Sequence, residues 1–167
     1  MIDEPEVHFS ADWEYKGLKA EDIKTLSMLM RDALKSKIEA GGNYKVVDAP
    51  APNVVLLRTA LTELYLKKKK RGLMAYTPVG AVAKVGVDAL RETLDKVDII
   101  EMAFEAEVAD SKSGEVLVNL VVKRGARKAS GQKEERMDMN EFNETIATYG
   151  ARLACRLDNA RVPEAQW

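Results

Sequence analysis

Val7 and Phe9 fall on one side of the first nine residues, and Glu4, Glu6 and His8 on the other. That two-residue alternation predicts a strand with one wet face. After a loop broken by Gly17, the period changes. Ile23, Leu26, Met30, Ala33, Leu34 and Ile38 recur at helical spacing between Ala20 and Ala40, with Glu21 and Asp22 in the first turn and Gly41, Gly42 and Asn43 offering a left-handed close. "YKVVDAPAP" (residues 44–52) predicts a short strand running into a proline-stiffened turn. "NVVLLRTALTELYL" (53–66) predicts a long central strand, buried on at least one face, whose apolar run is interrupted by Arg58, Thr59 and Thr62. Thr77 as N-cap and Pro78 at the first helical position predict a second helix, with Val79, Val82, Gly86, Ala89, Leu90 and Thr93 along one side. Gly80 and Gly86 weaken it by about 1 kcal/mol each relative to alanine.

Residues 97–124 read as a β-hairpin. Ile100, Met102, Phe104, Ala106 and Val108 alternate with acids and small residues, "DSKSG" supplies turn chemistry, and "EVLVNLVV" returns. A polar loop leads to a last helix. Asp138 and Glu141 form an acidic version of the capping box, Phe142, Ile146, Tyr149, Leu153 and Leu157 share a face, and the helix is expected to end near Pro163. The order is thus β-α-β-β-(α)-β-β-α. Hairpin-linked strands with segregated helices predict an α+β two-layer sandwich over residues 1–167 as a single domain, its mostly antiparallel sheet covered by helices on one face.

Composition narrows the class without naming a chemistry. The chain is 46% hydrophobic and 32% charged with net charge −1, so any attraction to nucleic acid or an anionic membrane has to be local. Locally the charge is uneven. Residues 1–22 hold seven acids against Lys16 and Lys19, whereas Lys67, Lys68, Lys69, Lys70 and Arg71 are consecutive. A single cysteine, Cys155, rules out an internal disulfide and a cysteine-based zinc site. No apolar run reaches the roughly 20 residues of a membrane span. No signal-peptide pattern precedes the first strand, which suggests a trimmed or mature chain.

Candidate chemistry is sparse. His8 with Glu4 and Glu6 outlines a Glu-x-Glu-x-His metal patch, but any solvent-facing strand shows this alternation and no further ligand is marked, so a solvated edge is expected. Cys155 lies nearly opposite the apolar face of its helix, between Arg152 and Arg156 and with no histidine near it in sequence. It is expected to be exposed and to form intermolecular disulfides in an oxidising compartment rather than to act as a nucleophile. "DSKSGE" lacks the alternating oxygen ligands of a calcium loop and reads as a turn. Hydrolase, phosphate-loop and dinucleotide signatures are absent. No catalytic residue, metal ligand or cofactor is therefore assigned, although carboxylates are plentiful enough for an unmarked pair.

The segments "YKGLKAEDIKTLSMLMRDAL", "YKVVDAPAPNVVLLRTALTELYL" and "FEAEVADSKSGEVLVNLVVKRG", with a terminal helix ending "ARLACRLDNA", resemble an uncharacterised family of bacterial envelope lipoproteins, domain of unknown function 3313. The likeness runs roughly from Asp3 to Ala160, and "VVDAPAP" and "DSKSGEVL" are its more specific motifs. It implies export, a lipid on an upstream cysteine and a periplasmic folded domain. The chain departs from that pattern at its front, where signal and lipid-bearing cysteine are missing; Cys155, inside the last helix, does not replace the latter. The resemblance brings no active-site residues with it.

The basic run completes the reading. A second cluster, Lys123, Arg124, Arg127 and Lys128, follows the returning hairpin strand. If that strand and the long strand both flank the first hairpin strand antiparallel to it, the two clusters emerge at one end of the sheet. Three roles compete for them: a solvated connection that keeps the edge soluble, a contact with anionic headgroups helped by Leu73, Met74 and Tyr76, and nucleic-acid binding. The last is not expected, because no aromatics interleave with the charges and no reading helix is basic. The expected function is a non-enzymatic envelope domain that binds an unknown protein or an anionic envelope surface; the alternatives are a small-ligand-binding protein or an envelope enzyme. An interaction domain should show an apolar patch rimmed by polar residues on the free sheet face, and a ligand protein a deep pocket with converging polar groups.

Overall fold

The computed structural model describes residues 1–14, 16–68, 97–125 and 137–159. Within them lie β1 (Glu6–Phe9), α1 (Ala20–Ala40), β2 (Val55–Lys68), β3 (Val97–Asp110), β4 (Val116–Gly125) and α2 (Met139–Asn159). The four strands form one sheet in the order β1-β2-β3-β4. β2–β3 and β3–β4 are antiparallel, while β1 runs parallel to β2 at the edge. The parallel pair follows from connectivity: α1 carries the chain from β1 back across the sheet before β2 begins. The helix predicted from Thr77 lies outside the described residues.

Both described helices lie on one sheet face, and their buried stripes are those the spacing marks. Leu26, Met30, Leu34 and Ile38 from α1 and Phe142, Ile146, Tyr149 and Leu153 from α2 meet Leu57, Leu61, Leu64 and Leu66 of β2 and Met102, Phe104, Ala106 and Val108 of β3. Phe104, fully buried, sits with its ring 5.3 Å from that of Tyr149. The helices approach closely at Gly150, where a Cβ would stand 3.2 Å from Lys37 Cβ and 3.4 Å from Leu34 Cδ2. At the head of α2 the capping box is reciprocal: Asp138 N–H donates to Glu141 Oε2 at 3.0 Å and Glu141 N–H to Asp138 Oδ1 at 2.9 Å. At the head of α1, Asp22 accepts the Lys19 N–H at 2.9 Å, and Gly42 takes the left-handed conformation (φ 76°) just past its end.

One predicted strand is not a strand. Residues 44–47 make no ladder pairing. Both edges of β2 are already taken, by β3 on one side and on the other by β1 and the bridge between Ile2 and Leu57. Tyr44 and Val46 instead pack against the core from a loop, with the Val46 N–H bonded to Glu39 Oε1 at 3.1 Å.

A feature that alternation does not reveal lies in mid-sheet. The β2–β3 register slips between Thr62 and Tyr65, and again between Tyr65 and Leu66. Buried positions on β2 are odd before the slip (Leu57, Thr59, Leu61) and even after it (Leu64, Leu66). A bulge of this kind turns the strand while keeping its apolar side inward.

Candidate functional site

The sheet face away from the helices is a set of cross-strand polar pairs. Arg58 and Glu107 are direct partners, with Nη1 donating to Oε1 at 2.7 Å. Thr62 Oγ1 donates to Glu105 Oε1 at 2.7 Å. Nearer the far end of β2, Lys123 from β4 bridges Glu101 of β3 at 2.7 Å and Glu63 of β2. The bulge makes the last contact possible: Glu63 adopts φ 51°, a left-handed conformation uncommon for glutamate, and so points to the outer face between two inward-facing leucines. Hydrogen bonds to Glu101 first and Glu63 second hold the Lys123 ammonium above the ordinary lysine pKa. Two carboxylates on one cation is charge pairing across strands.

These contacts locate the described part of the predicted basic edge. β2 and β4 flank β3 antiparallel to it, so they run in the same direction. Lys68 pairs with Val97, and Arg124 pairs through its backbone with Met102. Lys67 lies opposite the buried Asp98 and 3.7 Å from Glu14 Oε1, and Lys68 is exposed. Lys67 and Lys123 thus each sit among acids. Lys69, Lys70, Arg71, Arg127 and Lys128 lie outside the described residues, as do Leu73, Met74 and Tyr76.

The other singled-out residues are dispersed. His8 is exposed on β1, with Nε2 2.7 Å from Glu6 Oε2. Among the described residues no group of three His, Cys, Asp or Glu side chains is placed to hold a metal ion. Cys155 is exposed on α2, its Sγ 3.9 Å from Asn159 Nδ2. The "DSKSGE" segment is the β3–β4 turn. Asp110 Oδ1 accepts the N–H groups of Ser113 at 2.7 Å and Lys112 at 2.9 Å, and Gly114 takes φ 73°. Those bonds, the Ser113 N–H first, hold the Asp110 carboxyl below its usual pKa.

Among the described residues an open concavity of about 460 Å³ lies between β4 and α2, lined by Val122, Lys123, Glu141, Tyr149 and Arg152. An apolar recess of about 150 Å³ lies among Ile2, Ile38, Val46, Val55 and Leu157, below the roughly 300 Å³ at which small-molecule pockets begin. An open trough of about 460 Å³ crosses the outer face over Arg58, Ala60, Glu107, Asn119 and Val121.

Sequence reasoning missed the exposed apolar side of β4. Val116, Leu117 and Val121 are 45%, 53% and 66% exposed, while Val118, Leu120 and Val122 lean on the core from the opposite side. β4 is thus apolar on both sides of its pleat. The signal was present in "VLVNLVV", where a half-wet strand should alternate and this one interrupts its apolar residues only at Asn119.

The family described as "Protein of unknown function (DUF3313)" matches residues 2–153. No curated protein matches the chain. Among solved structures, the chain is similar to the rare lipoprotein B from Shewanella oneidensis, at 17% identity over 95% of this chain and 93% of that one, with a TM-score of 0.25. A likeness that distant carries no argument about fold or function.

Proposed function

The chain belongs to the DUF3313 family, and from that premise we propose a non-enzymatic domain of the bacterial cell envelope, periplasmic and lipid-anchored, that docks onto a protein partner through its outer sheet face. One observation carries the docking: Val116, Leu117 and Val121 are exposed together on the edge strand β4. Asn119 lies between Leu117 and Val121 along the strand, opposite Glu107, and Lys123 and the pair Arg58–Glu107 lie beside them. Apolar side chains exposed among polar ones on a sheet face are the composition of a contact surface, whereas solvated sheet places polar groups at such positions. The envelope placement is supported by the sequence resemblance. The test is capture of detergent-solubilised envelope proteins on the immobilised domain. A partner should be retained by the wild type and by Met28→Asp, which alters an exposed side chain on the helical layer, and lost with Leu117→Asp/Val121→Asp. Retention indifferent to the double substitution, or none above background, ends the proposal.

A second contact is proposed at the sheet end where β2 and β4 finish. There Lys67, Lys68, Lys69, Lys70, Arg71, Lys123, Arg124, Arg127 and Lys128 would meet an anionic surface. The common direction of the two strands favours it. The carboxylates around Lys67 and Lys123 weigh against it. Flotation with anionic but not neutral vesicles, abolished by Lys68→Glu/Lys69→Glu/Lys70→Glu, is the expected result. Equal behaviour on both lipids discards it.

A further inference from the structure

We infer that the partner of the outer sheet face is a basic protein segment, seated with an arginine side chain over Ala60 between the carboxylates of Glu6 and Glu105 and an apolar neighbour against Val121. The inference rests on the reading of that face as a docking surface and names the chemistry of what docks there. One row across the sheet supplies the site. Glu6 of β1 pairs with Ala60 of β2, Ala60 with Glu105 of β3, and Glu105 with Val121 of β4. Directly opposed residues share a sheet face, so the four side chains stand together. The row lies in regular ladder on all three strand pairs, clear of the slips between Val7 and Phe9, between Thr62 and Tyr65, and between Val108 and Ala109.

Neighbouring strands stand about 4.8 Å apart, so Glu6 and Glu105 flank a gap of roughly 10 Å floored by a methyl group. That gap is the middle of the open trough of about 460 Å³ across the outer face. Each carboxylate keeps an oxygen for a ligand: Glu6 meets His8 Nε2 through Oε2 alone, and Glu105 takes the Thr62 hydroxyl on Oε1 alone. The charge around the trough has the same sign. Glu6, Glu63, Glu101, Glu105 and Glu107 stand against Arg58 and Lys123, and both cations are already engaged, Arg58 by Glu107 and Lys123 by Glu63 and Glu101. Further along β2, Lys67 has Glu14 beside it. A face with surplus carboxylate repels phosphate polymers and anionic headgroups and draws cations. Arginine suits the gap because its guanidinium presents five N–H donors in a planar fork, enough for the open oxygens of both carboxylates. The apolar requirement is next to it. Val121, 66% exposed, adjoins Glu105 and offers nothing to a cation. The surface therefore selects a segment carrying cationic and apolar side chains two residues apart, on one side of an extended chain, whereas a purely basic one would leave Val121 wet.

The probe is a fluorescein-labelled peptide, Gly-Arg-Ser-Val-Ser-Arg-Ser-Val-Gly, titrated with the full chain and followed by anisotropy. The unlabelled peptide is followed by the amide shifts of the isotope-labelled protein. Binding should shift Ala60, Glu105 and Val121 and weaken as salt rises. It should fall by at least about tenfold when citrulline, the neutral isostere, replaces each arginine. Glu6→Gln/Glu105→Gln, at two exposed sites that leave the urea midpoint unchanged, should have the same effect, while Glu144→Gln on the exposed side of α2 should have none. No binding, equal binding of the citrulline peptide, or shifts confined to the helical layer overturns the inference. Each of these results leaves the docking proposal to its own test. Capture of an envelope protein that depends on Leu117 and Val121, yet is indifferent to salt and to the Glu6 and Glu105 substitutions, would uphold the docking and remove the arginine.

Discussion

The two faces of the sheet are made by alternate residues of the same strands, yet they do different work. On the inner face Leu61, Leu64, Met102 and Phe104 are closed off from solvent, and removing any of them opens a cavity in a packed core. On the outer face Arg58–Glu107 and Thr62–Glu105 lie in solvent. Exposed ion pairs contribute about 0–1 kcal/mol each. Folding is therefore secured from one side only, and the other side is free to carry a surface unrelated to stability. On β4 that freedom has been used for apolar side chains at positions where water would ordinarily be faced.

Substitutions on either side of the sheet break or sharpen this contrast. The largest effect is expected from Phe104→Ala, which removes a fully buried ring and its contact with Tyr149 and should lower unfolding free energy by about 3–5 kcal/mol in urea titrations. Gly150→Leu drives a side chain into Lys37 and Leu34 at the helix crossing and should cost about 1–3 kcal/mol by the same measurement. Thr59→Val has the opposite sign. The Thr59 hydroxyl is buried among the described residues with no hydrogen-bond partner, so replacing it with a methyl group should stabilise the fold by about 1 kcal/mol. An unchanged or lower midpoint would mean that the hydroxyl is satisfied in solution. The smallest effect belongs to the turn. Because Asp110 is depressed in the folded chain, its contribution is present above the ordinary aspartate pKa and lost as pH falls through the folded value. Asp110→Asn should therefore lower thermal stability slightly at neutral pH and converge on the wild type in acid; a difference that persists or grows in acid refutes the assignment.

Much of this was legible in the chain. The apolar stripes of α1 and α2, the Asp138–Glu141 cap and the hairpin turn all depend on neighbours a few residues away, and each was read correctly. Tyr44 and Val46 show the limit. Their alternation fits a strand, but strand formation needs a vacant edge, and the N-terminal residues had already filled the one beside β2. The bulge at Glu63 was equally hidden. A change of parity within an apolar run has meaning only against the strand it pairs with. As for the candidate site, the basic residues were marked from sequence, but the acids that meet Lys67 and Lys123 come from β2, β3 and the segment after β1, far apart in the chain.

Sequence by itself determined the helices α1 and α2, which strands form the hairpin and which sides of them seek the core, because these follow from periodicity and from caps closed within one turn of chain. Tertiary structure decided the parallel edge made by β1, the outward turn of Glu63, the pairing of Lys123 with two acids and the exposure of Leu117 and Val121. Each of those depends on which backbone edges and faces remain unoccupied once the strands are side by side, and that competition is settled only when distant segments meet.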